Sequence, residues 1–144
     1  MSARTSICKA LAEKFKTIDG TAPFVTNIYG NAYTSLRFWD EVQDFPCIYM
    51  SAGTESREYH PGGFKWGYIN IALKLYSRGE DSALILEDLI SDVETVIDAN
   101  RNLTYDEQGN QTTEILITSI TTDEGLLAPY GIGEMVLQVR YALP

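Results

Sequence analysis

His60 is the only imidazole in the chain and Glu58 stands two residues before it, so general acid–base chemistry would have to start there. The pair lies in Glu58-Tyr59-His60-Pro61-Gly62-Gly63. Its proline and glycines mark a turn, whereas a catalytic base needs rigid support. Nucleophilic catalysis has no better footing. No Ser or Cys sits in a nucleophile motif, and any triad would have to recruit the same His60. The carboxylate pairs Asp88/Asp92 and Glu94/Asp98 are spaced for one face of a helix and could offer oxygens to a divalent cation. The same spacing describes like charges on a solvated face. Asp106-Glu107-Gln108-Gly109-Asn110 has the outline of a calcium loop, but its glycine falls one residue early and the closing glutamate is missing, so it reads as a turn. Gly131-Ile132-Gly133 lacks the third glycine, the preceding βαβ start and the following helix of a dinucleotide site. Cys8 and Cys47 lie far apart with no metal-ligand neighbours and read as buried reduced thiols. The sequence assigns no catalytic residue, no cofactor-binding residue and no metal ligand.

The elements that would have to hold such groups are clearer. From Ser6 to Ile18 the apolar residues Ile7, Cys8, Leu11, Phe15 and Ile18 fall on one arc of a helix, with Asp19-Gly20 as its stop. A stronger helix over Ser82–Ala99 gathers Ile85, Leu86, Leu89, Ile90, Val93, Val96 and Ile97 on one side and acidic residues on the other, with Asp81 or Ser82 as cap and Asn100 as stop. Strands are expected at Ala22–Tyr29 and Tyr33–Trp39 around a Gly30-Asn31 turn, and at Phe45–Ser51 opening on Pro46. A long central strand over Phe64–Tyr76 sets Gly67, Ile69, Ile71, Leu73 and Leu75 against Tyr68, Asn70, Lys74 and Tyr76. Thr112–Thr122 and Glu134–Leu143 complete the set. Thr54–Gly63 is an exposed excursion, a loop or the tip of a long hairpin.

The order implies an α+β fold in which two helices cover one face of a mostly antiparallel sheet. No repeat, low-complexity run or linker divides the chain, so residues 1–144 read as one domain. Its 144 residues can bury a core without staples. A net charge of −9 argues against gripping nucleic acid or anionic membrane by charge, and no apolar run approaches the ~20 residues of a bilayer span. Without a signal-peptide pattern the cytosol is the default compartment. Residues 80–107 carry a net −8, so nearly all the excess sits on the second helix and its exit. That surface is either a solvated face or one that meets something else.

Several segments resemble, in order and spacing, the tail terminator proteins of long-tailed bacteriophages, most closely the T-five-like siphophage type. They are Arg4-Thr5-Ser6-Ile7, Asn27-Ile28-Tyr29-Gly30-Asn31, Phe45-Pro46, Asp92 through Asp98, Thr122-Asp123-Glu124-Gly125-Leu126-Leu127-Ala128-Pro129-Tyr130-Gly131, and Val139-Arg140-Tyr141. The stretch from Thr122 is the most specific. The resemblance implies a structural virion protein of the tail, present in the host cytoplasm during assembly. It implies a ring, typically hexameric, that caps the head-proximal end of the tail tube, stops polymerisation and offers a surface for head–tail joining. The implied partners are further copies of the chain, the tail tube protein and head-completion or neck proteins. DNA would pass through without specific binding, past an acidic surface that faces either outward or the lumen. No enzyme activity, cofactor or membrane is implied.

The family carries no catalytic residues over, and contact positions come from the residues themselves. Leu126, Leu127, Pro129 and Tyr130 form an unusually apolar connection between two strands, which must fold back on its own core or meet a partner; a contact role is the expectation. Tyr59 and His60 on the exposed excursion are the other candidates. An alternative within the same assembly is a different neck or tail-completion protein. A small-ligand or enzymatic domain built on His60 and Glu58 is the alternative outside it.

Overall fold

The computed structural model describes residues 2–143. The single-domain expectation over 1–144 includes Met1 and Pro144, which lie outside the described residues. Helix α1 spans Ala3–Phe15, three residues earlier than the periodicity suggests, because the Ser2 hydroxyl accepts the Thr5 N–H and caps the first turn. Ile18 lies beyond the helix yet is fully buried with Ile7, Leu11 and Phe15. Helix α2 runs Ser82–Ala99 as expected. Asp81 makes no side-chain cap bond, while the Asn100 side chain closes the other end by donating to the Val96 carbonyl at 2.8 Å.

Five strands follow the order β1-β2-β3-β5-β4: β1 Ala32–Tyr33, β2 Cys47–Tyr59, β3 Lys65–Arg78, β4 Thr112–Thr122 and β5 Tyr130–Ala142. Only the short β1–β2 pair is parallel. Strict alternation buries Ile69, Ile71, Leu73 and Leu75 of β3 and Met135, Leu137, Val139 and Tyr141 of β5 against both helices. The fold is therefore α+β with both helices on one face. Of the α2 stripe only Ile85 is less than buried.

The expected strands Ala22–Tyr29 and Tyr33–Trp39 do not form. In the first, Asp92 takes the place of a neighbouring strand: its carboxylate accepts the backbone N–H groups of Val25 and Thr26 and the Thr26 hydroxyl. The turn follows, with Asn27 Oδ1 accepting the Tyr29 N–H and left-handed Tyr29 and Gly30 at φ 53° and 76°. In the second, only Ala32 and Tyr33 pair with β2. The chain then crosses the reverse face of the sheet, where Tyr33 stacks on Tyr49 at 4.9 Å and the Tyr76 hydroxyl donates to the Arg37 carbonyl. A short 3-10 helix at Trp39–Glu41 completes this second cluster with Val42, Phe45 and Cys47. Cys8 and Cys47 are free buried thiols, and burial followed by the nearby Asp44 charge pushes the Cys47 thiol up to about 12. The Thr54–Gly63 excursion is the tip of the long β2–β3 hairpin, with Thr54–Tyr59 inside β2.

Gly131 and Gly133 let α2 approach the sheet. A Cβ at Gly131 would lie 2.3 Å from Ser77 Oγ and 2.8 Å from the Ser82 carbonyl oxygen, the same two atoms that hydrogen-bond across the start of α2. Gly131→Ala is expected to destabilise the fold by ~1–3 kcal/mol through overpacking, read as a lower thermal midpoint. An unchanged midpoint would mean that the first turn of α2 has room to withdraw.

Candidate assembly surface

The connection from β4 to β5 is short, apolar and heavily tied. Both Asp123 carboxylate oxygens are used, one accepting the Leu127 N–H at 3.1 Å and the other the Ile132 N–H at 3.3 Å. The Asp123 carbonyl takes the Leu126 N–H, and the Leu127 carbonyl takes the Tyr130 N–H. Glu124 and Gly125 are both left-handed, at φ 56° and 79°, which reverses the chain within this stretch. Behind it the Pro129 carbonyl accepts the Gly79 N–H, joining the loop to the lead-in of α2. With its backbone bonds closed internally, the loop turns its leucines outward: Leu126 is 83% exposed and Leu127 39%. Tyr130 goes the other way, onto Trp39 at 5.1 Å and Phe45 at 5.8 Å, with the Arg78 guanidinium over Phe45. The aromatic packing links this loop to the reverse-face segment, where Leu36 and Phe38 are also exposed. Tyr29 borders Phe45 and Arg78 in a shallow depression, and Leu84 stands exposed on the first turn of α2. One end of the sheet thus presents separate large apolar side chains from four segments.

Tyr59 and His60 are not part of it. They lie at the β2–β3 tip, at the other end of a strand whose 14 residues span roughly 45 Å at ~3.3 Å per residue. Tyr59 and Phe64 are exposed there, His60 Nε2 is 2.5 Å from Glu58 Oε1, and the His60 N–H closes the turn on the Phe64 carbonyl. This imidazole is not buried: its side chain is 43% exposed and that of Glu58 51%.

The hairpin is anchored at its root. Glu55 accepts the Tyr141 hydroxyl at 2.8 Å and the Arg57 Nε–H, with the Arg4 guanidinium beside it. Burial pushes the Glu55 carboxyl up, but these hydrogen bonds and the two guanidinium charges outweigh it and hold its pKa below the ordinary value. Burial and the bond to Glu55 push the Tyr141 phenol up to about 12. Its ring fills the space that the missing side chain of Gly67 leaves. On the reverse face Arg140 lies over Trp66 at 4.2 Å and near Tyr68.

The Asp88/Asp92 pairing dissolves in the structure. Asp92 is 2% exposed and its oxygens are spent on Val25 and Thr26, whereas Asp88 faces solvent on α2 with Glu87 and Asp98. Sequence reasoning missed Asp92 as a structural pin; its signal was a carboxylate beside the apolar arc of an otherwise regular amphipathic helix. Among the described residues no helix is long and apolar enough to cross a membrane.

The whole chain, residues 1–144, matches the family described as Bacteriophage Tail Tube Terminator Protein. It is 37% identical to the tail tube terminator protein p142 of Escherichia phage T5 over 155 aligned residues, which cover 100% of this chain and 96% of that one. Among solved structures it resembles a chain from the virion of a native gene transfer agent particle, with a TM-score of 0.63 at 10% identity, covering 99% of this chain and 100% of the other. At that identity the likeness concerns the fold.

Proposed function

This chain belongs to the bacteriophage tail tube terminator family, and from that premise we propose that it caps the head-proximal end of the tail tube as a homo-hexameric ring. There it stops polymerisation and offers the surface on which head-completion or neck proteins join. It acts as a single-domain structural component of the virion tail, assembled in the host cytoplasm, without catalysis and without a cofactor. DNA passes through the ring unbound.

The observation that carries the reading is the apolar end of the sheet. Leu126 and Leu127 are held outward by a loop pinned by the Asp123 carboxylate and its own turn bonds, so docking them costs little ordering entropy. Such a surface suits a solid partner, and in this family that partner is the tube. The exposed acids of α2, Glu87, Asp88 and Asp98, keep free subunits apart. Negative-stain imaging of the protein mixed with purified tail tubes should show density capping one end of each tube. Binding to capsid portals alone would replace the reading with a neck role. Binding to neither would remove it.

A further inference from the structure

Both lateral edges of the sheet are open. On one side β4 has no outer neighbour, and from Ile115 to Thr122 it carries no charge and no proline, the devices by which edge strands avoid pairing. Residues 118–121 are exposed as well. On the other side β1 covers β2 only at Ile48 and Tyr49, and Arg4 touches the carbonyl of Gly53. Thr54–Tyr59 is left without a strand on its outer side.

We infer that these two edges join successive copies of the chain, the open stretch of β4 in one subunit pairing with Thr54–Tyr59 of β2 in the next. The inference rests on the ring proposed above and specifies its contact. The strand senses allow it: β2 and β3, β3 and β5, and β5 and β4 are each antiparallel, so β4 runs opposite to β2. A second copy in the same orientation therefore presents its β2 antiparallel to β4, the pairing used through the rest of the sheet. Each joint leaves one β4 edge and one β2 edge free at the ends of the array, which makes the contact heterologous and able to close by rotation.

Centring the two open stretches on one another sets Ser119 opposite Ser56 of the next copy, and past the bulge between Ile117 and Ser119 it sets Leu116 opposite Glu58, both pairs on the reverse face of the sheet. Within one sheet Ser119 is level with Ser51, through Val136 and Ala72. Moving from Ser51 to Ser56 is a step of four positions on β3, from Ala72 to Tyr68. Each joint thus carries a stagger of roughly 13 Å at ~3.3 Å per residue. A stagger of one sense at every joint tilts the strands against the ring axis, as closed sheets require. The facing Thr54–Tyr59 stretch carries Glu55, Arg57 and Glu58, and the neutral β4 strip sets no like charge against them.

The test mixes two single-cysteine variants, Ser119→Cys and Ser56→Cys, with a short bismaleimide, free at high concentration and on tail tubes. Cys8 and Cys47 are buried and stay silent. The expected product is a cross-linked pair in the mixture, none from either variant alone, and a ladder of multimers when both substitutions share one chain. Adding Leu116→Glu, which sets a second carboxylate opposite Glu58, should lower the cross-linked yield about threefold while leaving the circular dichroism spectrum unchanged. Dimers from Ser119→Cys alone would overturn the inference, because they would mark a two-fold β4–β4 contact. Absence of cross-links while the wild-type protein caps tubes would overturn it and leave the terminator reading standing. Cross-linking of the mixture without capping would keep the edge pairing and discard that reading.

Discussion

Leu89→Asp is expected to leave no cooperative melt. Leu89 lies at the middle of α2 with no exposed surface, packed in the cluster that joins both helices to β3 and β5. Losing the leucine costs ~2–5 kcal/mol by itself, and a carboxylate in that place finds no hydrogen-bond partner prepared for it. The helix cannot roll to bring position 89 into water. One turn on, Asp92 fixes its orientation through the N–H groups of Val25 and Thr26, and Gly131 and Gly133 admit it to the sheet at a fixed approach. Set against a total stability of about 5–15 kcal/mol for a domain, the combined loss is of the same size. Leu84→Asp is the control. That leucine is on the same helix and 67% exposed, so its melt should stay within about 0.5 kcal/mol of wild type. A wild-type melt for Leu89→Asp, followed by circular dichroism, would contradict the buried stripe.

Much of this architecture could be read from apolar spacing alone. The α2 stripe and the alternation on β3 and β5 fix which faces are buried, and the structure buries those faces. What spacing could not reveal was where backbone groups find partners outside a ladder. Ala22–Tyr29 has strand-like composition, yet its amides go to Asp92, a residue almost seventy positions away whose helical neighbours are solvated acids. The aromatic run from Tyr33 to Trp39 leaves the sheet because a second apolar cluster exists on its reverse face, and a strand with one polar-looking side gives no sign of that. Gly131-Ile132-Gly133 could be recognised as something other than a nucleotide loop, but its purpose, a close helix–sheet approach, needs the helix in place. The candidate contact residues divide the same way. Leu126, Leu127, Pro129 and Tyr130 are neighbours in sequence and stay together, while Tyr59 and His60 are carried by the hairpin to the opposite end of the sheet. In the edge-pairing arrangement Tyr59 meets a second copy of the chain, so the two sets serve different partners.

Leu126→Asp is expected to abolish capping without touching the fold. Leu126 is the most exposed large apolar residue of the protein among those described, and its side chain supports nothing beneath it. The loop itself is held by Asp123, by the Leu127-to-Tyr130 carbonyl bond and by Tyr130 on Trp39, none of which uses the Leu126 side chain. The variant should therefore melt within about 0.5 kcal/mol of wild type. In the proposed docking the same side chain is an apolar anchor that the tube would have to cover. Truncating an anchor of that kind costs ~2 kcal/mol, or roughly 30-fold in affinity, and a desolvated carboxylate adds to the loss. The readout is the length distribution of tails assembled with the variant, which should include overlong tubes. Leu127→Asp is the sharper comparison, since Leu127 is only 39% exposed and its N–H is bonded to Asp123. If Leu126→Asp caps normally while Leu127→Asp loses its cooperative melt, the loop belongs to the subunit's own packing, and the tube must dock elsewhere on the rim.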